Sequence, residues 1–359
     1  MTSAPASFAS KTAAGRFFED FRLGETIAHA TPRTLTDGDS ALYAALYGAR
    51  FAPQSAGTFA RAIGYAGRPI DDLLVFHVVF GKTVPDVSLN AVANLGYADC
   101  RFLKAVYPGD TLAAASEVIG LKENSNRETG VVTVRTRGTN QRGETVVDYV
   151  RWVMVRKRDK RAAAPAPHVP KLPEAVAPEA LGSACPAIDR AAFDLTLGGS
   201  PFLFEDYSQG ERIDHVDGMT VEEAEHMMAT RLYQNTARVH FNQVSEGKSR
   251  FGRRLVYGGH VISLARALSF NGLANAFHIA AINAGRHVAP LFAGDTLFAW
   301  SEIRETAALP GRNDVGALRV RTVATKNRPC DDFPNRAGDA YEPSVVLDLD
   351  YWAIVPRRP

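Results

Sequence analysis

The chain of 359 residues contains the same unit twice, and this repeat constrains its fold more than any other feature. Four segments of the first half return in the second half at a nearly constant spacing of 185 or 186 residues. The matching pairs are FEDF at 18–21 and FEDY at 204–207, RFLKAVYPGDTL from 101 and RHVAPLFAGDTL from 286, SE at 116–117 and 301–302, and VRT at 134–136 and 320–322. A chain of this length exceeds what one hydrophobic core usually supports. The repeat therefore predicts two similar domains in tandem.

The domain boundaries follow from the repeat and from a change in composition. We predict a first copy at residues 1–157, a linker at 158–185 and a second copy at 186–359. The linker contains RDKRAAAPAPHVPKLPEAVAPEALG, whose proline and alanine content favours an extended, semi-rigid connection over packed structure.

Both copies show the same order of secondary structure. A short helix and an irregular polar segment precede an apolar stretch of helical length, at residues 73–84 and 260–273. Strand-like runs rich in Val, Thr and aromatic residues come next, at 131–136, 146–155, 316–323 and 345–355. This order is typical of an α+β layer arrangement. It predicts an antiparallel sheet wrapped around a central helix in each copy, which is a tandem double hot-dog fold.

The composition excludes several classes of protein. The 41 basic and 39 acidic side chains leave a net charge of only +2, so no overall charge attracts nucleic acid or an anionic membrane. The N-terminus has no apolar run behind a positive region, and no window approaches a membrane-spanning helix of roughly 18 apolar residues. We therefore expect no nucleic-acid or membrane partner and a cytoplasmic location.

The cysteines and histidines do not form a metal-binding motif. Cys100, Cys185 and Cys330 are widely spaced and include no CxxC pair, which fits a reducing compartment. HExxH and HxxxH patterns are absent from the sequence. We expect no metal site.

The densest group of polar motifs lies in residues 231–260, RLYQNTARVHFNQVSEGKSRFGRRLVYGGH. Asn235 and His240 stand five residues apart, and Tyr257, Gly258 and Gly259 follow just before the second apolar helix. This segment resembles the active-site region of the MaoC-like (R)-specific enoyl-CoA hydratases, whose pattern runs D-x-N-P-x-H and then to a V-H-G turn. The family aspartate is Asn235 here, and the family asparagine is Ala237.

Longer stretches resemble the mesaconyl-CoA hydratase family more specifically. They include FFEDFRLGETIAHATPRT, FHVVFGKTVPDVSLNAVANLGYA and ARALSFNGLANA. The resemblance implies a hydro-lyase that interconverts mesaconyl-CoA and β-methylmalyl-CoA, as in the ethylmalonyl-CoA pathway. It also implies an acyl-CoA substrate and no cofactor, because coenzyme A is part of the substrate.

The resemblance assigns the catalytic roles to the second copy. Hydration of an unsaturated thioester needs a group that takes a proton from water, a proton source for Cα and a donor to the thioester oxygen. His240 is predicted to transfer the protons and Gly258 to donate its N–H to that oxygen. Asn235 is predicted to orient the water, because an aspartate would repel the carboxylate of mesaconyl-CoA.

Further residues are predicted to bind the substrate. Arg238 is our candidate for the substrate carboxylate, and Arg50 in the first copy is its competitor. Gly259 belongs to the oxyanion turn, and the role of Tyr257 stays open. A basic cluster could meet the coenzyme A phosphates or simply be solvated, and it consists of Lys248, Arg250, Arg253 and Arg254. Arg286 and His287 are further candidates for substrate contact.

The first copy has no equivalent acid–base pair. Positions 186 residues before Asn235 and His240 hold Ala49 and Gln54, and Gly258 corresponds to Asp72. We predict that the first copy is catalytically degenerate and supplies part of the substrate pocket.

Two alternatives to a hydratase remain open at this point. An acyl-CoA thioesterase of the same fold would attack the thioester carbonyl instead of the double bond. A non-catalytic acyl-CoA binding protein would explain the degenerate first copy and the missing aspartate. Exposed sheet edges would allow either protein, or the hydratase, to form a homodimer or a higher homo-oligomer.

Overall fold

The fold is known from a computed structural model that describes residues 11–359. The strands, in chain order, are β1 (Thr26–Thr34), β2 (Ala91–Phe102), β3 (Thr111–Glu123), β4 (Thr129–Thr139), β5 (Thr145–Arg156), β6 (Arg212–Asp214), β7 (Met219–Thr220), β8 (His278–His287), β9 (Thr296–Ala308), β10 (Val315–Lys326), β11 (Arg336–Ala337), β12 (Ala340–Tyr341) and β13 (Val345–Pro356). The α-helices are α1 (Asp37–Tyr47), α2 (Ala52–Ser55), α3 (Gly57–Ala62), α4 (Asp72–Thr83), α5 (Leu195–Gly198), α6 (Glu223–Leu232), α7 (Gln243–Glu246), α8 (Gly258–Leu268) and α9 (Phe270–Leu273).

Both copies contribute to one continuous antiparallel sheet. Its strand order is β1-β3-β4-β5-β2-β8-β13-β10-β9-β6, and β7 also pairs with β9. The two copies meet where β2 pairs with β8, with Ala98 opposite Ala284 and Cys100 opposite Ile282. The predicted double hot-dog fold is confirmed.

A central helix from each copy packs against this sheet. All residues from Leu73 to Thr83 in α4 and from Gly259 to Leu268 in α8 are buried. Helix α4 contacts β3 and β8, and α8 contacts β9, β10 and β13. A helix buried on all sides is mostly apolar around its circumference, and the buried polar residues of these two helices find partners, as His77 and Ser263 do in each other.

Repeat-related residues contact one another between the two copies. The hydroxyls of Tyr47 and Tyr233 are 2.7 Å apart, and His77 Nε2 lies 3.1 Å from Ser263 Oγ. Both pairs are separated by 186 residues, which is the repeat spacing. An approximate two-fold axis therefore passes through these contacts and relates the two copies.

The predicted second central helix is shorter than the apolar pattern indicated. Helix α8 ends at Leu268, and a kink follows because Asn271 and Gly272 have non-helical backbone angles. Gly272 has a φ of +104°, and the Tyr207 hydroxyl donates to its carbonyl oxygen at 3.0 Å. A Cβ on Gly272 would lie 2.5 Å from Ile213 Cγ2, so the kink depends on glycine.

The linker is largely extended, as its composition favours, and it packs on the second copy at Val176. Val176 is buried, and its N–H donates to Asn283 Oδ1 at 2.9 Å. Its carbonyl accepts from the Trp352 indole at 2.9 Å. Val176 belongs to a buried apolar cluster with Trp352 of the second copy, whereas Val169 is exposed. The backbone N–H and carbonyl of Val176 thus both find side-chain partners. The division of the chain at residues 157 and 186 stays a prediction.

Two further findings bear on the class of protein. Cys100, Cys185 and Cys330 are free and buried. Across residues 11–359, the helices are too short or too polar to cross a membrane.

Candidate active site

The candidate site is built around the first turn of α8. Tyr257 precedes the helix with φ −63° and ψ 132°, and its side chain makes no capping hydrogen bond. The first N–H groups of a helix have no acceptor within the helix, and the helix dipole is positive at this end. The turn at Gly258 can therefore stabilise a developing negative charge.

Neither glycine of this turn has room for a side chain. A Cβ on Gly258 would lie 2.4 Å from His287 Nε2. A Cβ on Gly259 would lie 2.3 Å from Tyr257 Cε1 and 2.6 Å from His77 Nδ1. The absence of side chains lets an imidazole approach the helix from each copy, His287 at Gly258 and His77 at Gly259.

His240 presents a free imidazole nitrogen. It ends a 3₁₀ turn, Arg238–His240, and its Nδ1–H donates to the Leu255 carbonyl at 3.0 Å. Because Nδ1 carries the proton, Nε2 keeps its lone pair. Burial lowers the pKa of His240 to about 4, so the ring is neutral at pH 7. Its ring centroid lies 5.3 Å from that of Tyr257, beside the turn.

His287 lies at the same helix turn as Gly258. It ends β8, and its Nε2 lies 3.5 Å from the Tyr97 hydroxyl. Burial and, second, the charge of a protonated His240 lower the pKa of His287 to about 4. From its sequence position, His287 is predicted to contact the substrate but not to lie at the oxyanion turn. The repeat contains a signal that singles out His287. The matching position of the first copy holds the apolar Phe102, so the histidine is specific to the second copy.

Asn235 lies in the loop between α6 and α7 and is buried. Its Oδ1 accepts from the Ala237 N–H at 2.9 Å, which fixes the turn toward His240. Its Nδ2 makes no hydrogen bond within residues 11–359. A Cβ on Gly81 in α4 would lie 1.9 Å from the Tyr233 carbonyl oxygen, so this glycine allows the loop to lie against the first copy.

Of the predicted basic cluster, Arg254 is already neutralised. Its guanidinium forms an ion pair with Glu223 at the start of α6. This pairing argues against its predicted role as a free phosphate contact. Lys248 is exposed and forms no ion pair within the described part of the chain.

Arg250 and Arg253 stack on aromatic rings. The Arg253 guanidinium lies 3.9 Å from the centroid of Phe292, and that of Arg250 lies 4.4 Å from the centroid of Phe251. The two phenyl rings are 5.5 Å apart. The cluster is a mixed cationic and aromatic surface, and its contact with coenzyme A stays a prediction.

The two predicted carboxylate ligands are both exposed. Arg238 begins the 3₁₀ turn of His240 with its side chain in solvent. Arg50 is exposed too, and its guanidinium lies 4.6 Å from the Phe270 ring centroid. Neither arginine is buried beside the α8 turn.

The corresponding place in the first copy is filled by side chains. Asp72, at the position of Gly258, accepts the Ile279 N–H at 2.9 Å and lies 2.9 Å from His278 Nδ1. Gln54, at the position of His240, donates to the Phe277 carbonyl at 3.0 Å. The cavity beside Gln54 is about 20 Å³, enough for one water. These contacts support the prediction that the first copy is catalytically degenerate.

Among residues 11–359, no three His, Cys, Asp or Glu side chains are arranged to hold a metal ion.

Comparison with known proteins identifies the relatives of the chain. Residues 6–171 match the family model described as mesaconyl-CoA hydratase. A β-methylmalyl-CoA dehydratase of Chloroflexus aurantiacus is 63% identical over 97% of this chain and 99% of its own length. A mesaconyl-CoA hydratase of Cereibacter sphaeroides is 62% identical over 97% of this chain and 100% of its own.

Solved structures agree with the fold. A MaoC domain protein dehydratase from Chloroflexus aurantiacus superposes with a TM-score of 0.96 at 62% identity, covering 98% of this chain and 100% of the other. A double-hotdog protein of Mycobacterium tuberculosis superposes with a TM-score of 0.72 at 26% identity, covering 96% and 99%.

Proposed function

Because the chain belongs to the mesaconyl-CoA hydratase family, we propose that it catalyses the reversible hydration of mesaconyl-CoA to β-methylmalyl-CoA. The observation that carries the proposal is the neutral His240 with a free Nε2 beside the unsubstituted turn of α8. Close relatives that span nearly the whole chain have this activity in their names.

His240 is proposed to carry one proton from water to Cα of the substrate. Nε2 takes a proton from water while the water oxygen bonds to Cβ of the substrate, and the double-bond electrons move toward the thioester. The resulting enolate oxygen accepts a hydrogen bond from the Gly258 N–H. The imidazolium then returns its proton to Cα. The enolate charge stabilises the imidazolium while it exists, which compensates for the low pKa of the resting His240 ring.

Asn235 is proposed to hold the attacking water. Its Oδ1 is engaged by the Ala237 N–H, whereas the Nδ2 donors are free to bind the water oxygen. An amide can orient water without adding a negative charge beside the carboxylate of mesaconyl-CoA. We further propose that the reaction needs no cofactor, and that the protein is cytoplasmic and forms a homo-oligomer.

To test this proposal, the purified protein is mixed with mesaconyl-CoA, and the absorbance of the conjugated thioester and the release of free thiol are both measured. Hydration removes the conjugated absorbance without releasing a thiol, whereas a thioesterase releases free coenzyme A. Saturable binding without either change would instead identify a binding protein. His240→Gln is expected to lower kcat by about 100-fold or more, while the exposed His168 gives the matched control His168→Gln with unchanged activity.

A further inference from the structure

Arg151 of the first copy is an arginine with no exposed surface. It lies in β5 on the face that packs against α4, and its exposed fraction is 0%. Its Nη2 donates to Thr83 Oγ1 at 2.7 Å, and both terminal nitrogens lie 3.3 Å from Ser88 Oγ. Its Nε is buried and has no hydrogen-bond partner among residues 11–359.

No carboxylate in the described part of the chain pairs with this buried charge. Removing an ion from water costs several kcal/mol unless an opposite charge compensates it. Arg266, the other buried arginine of residues 11–359, has the Asp71 carboxylate in electrostatic contact. Within residues 11–359, Arg151 is therefore a buried cation without a carboxylate partner.

Arg151 lies next to the candidate site. Its guanidinium stacks 4.3 Å from the centroid of Phe80, and the Phe80 ring lies 5.9 Å from the ring of Tyr257. Tyr97, which lies opposite Arg151 in the sheet, reaches His287 with its hydroxyl.

Tyr257 brings a second unpaired donor to the same place. Its hydroxyl is buried without a hydrogen-bond partner among residues 11–359. Burial raises the pKa of this hydroxyl, and the charge of Arg151 acts in the opposite direction. Tyr257 immediately precedes Gly258, and its ring also contacts His240. Arg151 of the first copy and Tyr257 of the second copy thus each have a donor without a partner, and one carboxylate can accept hydrogen bonds from both.

We propose that the Arg151 guanidinium and the Tyr257 hydroxyl bind the free carboxylate of the substrate's acyl group. This inference rests on the proposed function and replaces the exposed Arg238 as the carboxylate ligand. Arg151 then selects acyl-CoAs that carry a second acid group over uncharged ones, because an uncharged acyl chain leaves the buried cation unpaired.

The matching strand of the second copy carries no cation, and the buried arginine of that copy, Arg266, comes from α8 instead and lies 5.8 Å from the Tyr351 ring centroid. β5 and β13 are both 12 residues long, and Tyr351 takes the place of Arg151 in β13. The Tyr351 hydroxyl already accepts from Thr322 Oγ1 at 3.3 Å. Of these two matching strands, only β5 therefore carries a cation at this position.

The test compares mesaconyl-CoA with but-2-enoyl-CoA, an uncharged substrate of similar length. Arg151→Met is expected to lower kcat/KM for mesaconyl-CoA at least about 100-fold and to change that for but-2-enoyl-CoA less than tenfold. Tm should stay equal or rise, because methionine removes an unpaired buried charge. A purely structural arginine would lower Tm and both activities together, and that result would overturn the proposal.

Two further variants keep the test decisive. Tyr257→Phe removes only the orphan hydroxyl, and it should raise KM for mesaconyl-CoA about tenfold without raising that for but-2-enoyl-CoA. Arg266→Met, the matched buried arginine, should leave the ratio of the two activities unchanged. If the wild type hydrates mesaconyl-CoA but Arg151→Met and Tyr257→Phe both keep the wild-type ratio, only this inference fails. An inactive wild type would refute the proposed function itself.

Discussion

A single hydrogen bond determines what His240 can do. The Leu255 carbonyl accepts the Nδ1–H, so the lone pair is on Nε2 in the resting protein. Burial lowers the pKa of His240, so the ring stays neutral at pH values well below the usual histidine pKa. The residue is thus prepared as a base without help from a carboxylate, which suits a site where asparagine replaces the family aspartate.

The pH dependence of activity should report this burial. Protonation of Nε2 removes the base, so kcat/KM should be flat through neutral pH and should fall only as the pH drops toward the His240 pKa of about 4. Brief pH-jump assays on protein stored at pH 7.5 separate this loss from acid unfolding. A fall of kcat/KM already near the ordinary histidine pKa of about 6.5 would contradict the assignment.

Asn235→Asp tests the electrostatic reason for the asparagine. One carboxylate oxygen can keep the contact to the Ala237 N–H that Oδ1 makes at 2.9 Å. The added charge should raise activity on uncharged enoyl-CoAs relative to mesaconyl-CoA by about tenfold, the equivalent of 1.4 kcal/mol of repulsion. Asn235→Ser, which adds no charge, serves as the control. An unchanged preference in the aspartate variant would sink the idea.

Local pattern identifies some of the site residues but not all of them. His240 and Gly258 lie in one short stretch, and the repeat shows that the first copy lacks them. Arg151 could not be found in this way, because a charged residue in an alternating strand normally faces solvent. Only the pairing of β5 with β2 and the packing of α4 show that it points inward.

At the scale of secondary-structure elements, the start of α8 depends on the absence of side chains. Gly259→Ala should destabilise the protein by about 1–3 kcal/mol, because the new methyl group would overlap the buried rings of Tyr257 and His77. Urea denaturation measures the change. Gly57→Ala at the start of α3 is the control, since its Cβ has no neighbour closer than 3.5 Å and should change stability by less than about 1 kcal/mol. Equal effects of both substitutions would refute the argument.

The ends of elements were harder to predict than their existence. The apolar pattern over residues 260–273 continues through the kink because α9 is buried at Leu273 as well. Gly272 marks the break, but an isolated glycine in a helical pattern does not reveal its positive φ. Composition alone likewise hid the packing of Val176, which depends on partners more than a hundred residues away.

At the scale of the whole molecule, buried neutral histidines make stability depend on pH. Burial lowers the pKa to about 3 or 4 for five of them, namely His77, His215, His240, His260 and His287. Their pKa in the unfolded chain is about 6.5, so below that pH the unfolded state binds more protons. Folding stability is therefore complete above about pH 6.5 and is lost as the pH falls toward 4.

The free energy of unfolding should accordingly fall between pH 7.5 and pH 5, by up to about 1.36 kcal/mol per pH unit for each histidine that must be protonated. The urea midpoint should fall with it. Asp71 has the opposite effect. Burial raises its pKa to about 6, so its protonation on acidification favours the folded state. This single group is outweighed by the five histidines. Carboxylates with lowered pKa values, such as Asp314 at about 2, stay ionised in this window. A midpoint that is constant or rises on acidification would contradict the prediction.

The overall architecture could be predicted because the repeat is a property of the sequence itself. Two similar copies, each with one apolar helix and several strands, have few ways to bury their apolar faces. What the repeat could not supply is how the copies meet. The β2–β8 pairing and the contact of the loop at Tyr233 with Gly81 depend on both copies at once.

The approximate two-fold axis has a consequence for how such a chain can evolve. In a dimer of identical subunits, residues that meet on the axis must be of the same type, as Tyr47 and Tyr233 are. His77 opposite Ser263 cannot occur there. Once both halves are encoded in one gene, each can mutate alone, so one half can lose its acid–base pair while its Arg151 serves the other. The covalent link also ensures that each first copy pairs with one second copy. Two separate, unlike subunits could instead form two unwanted homodimers.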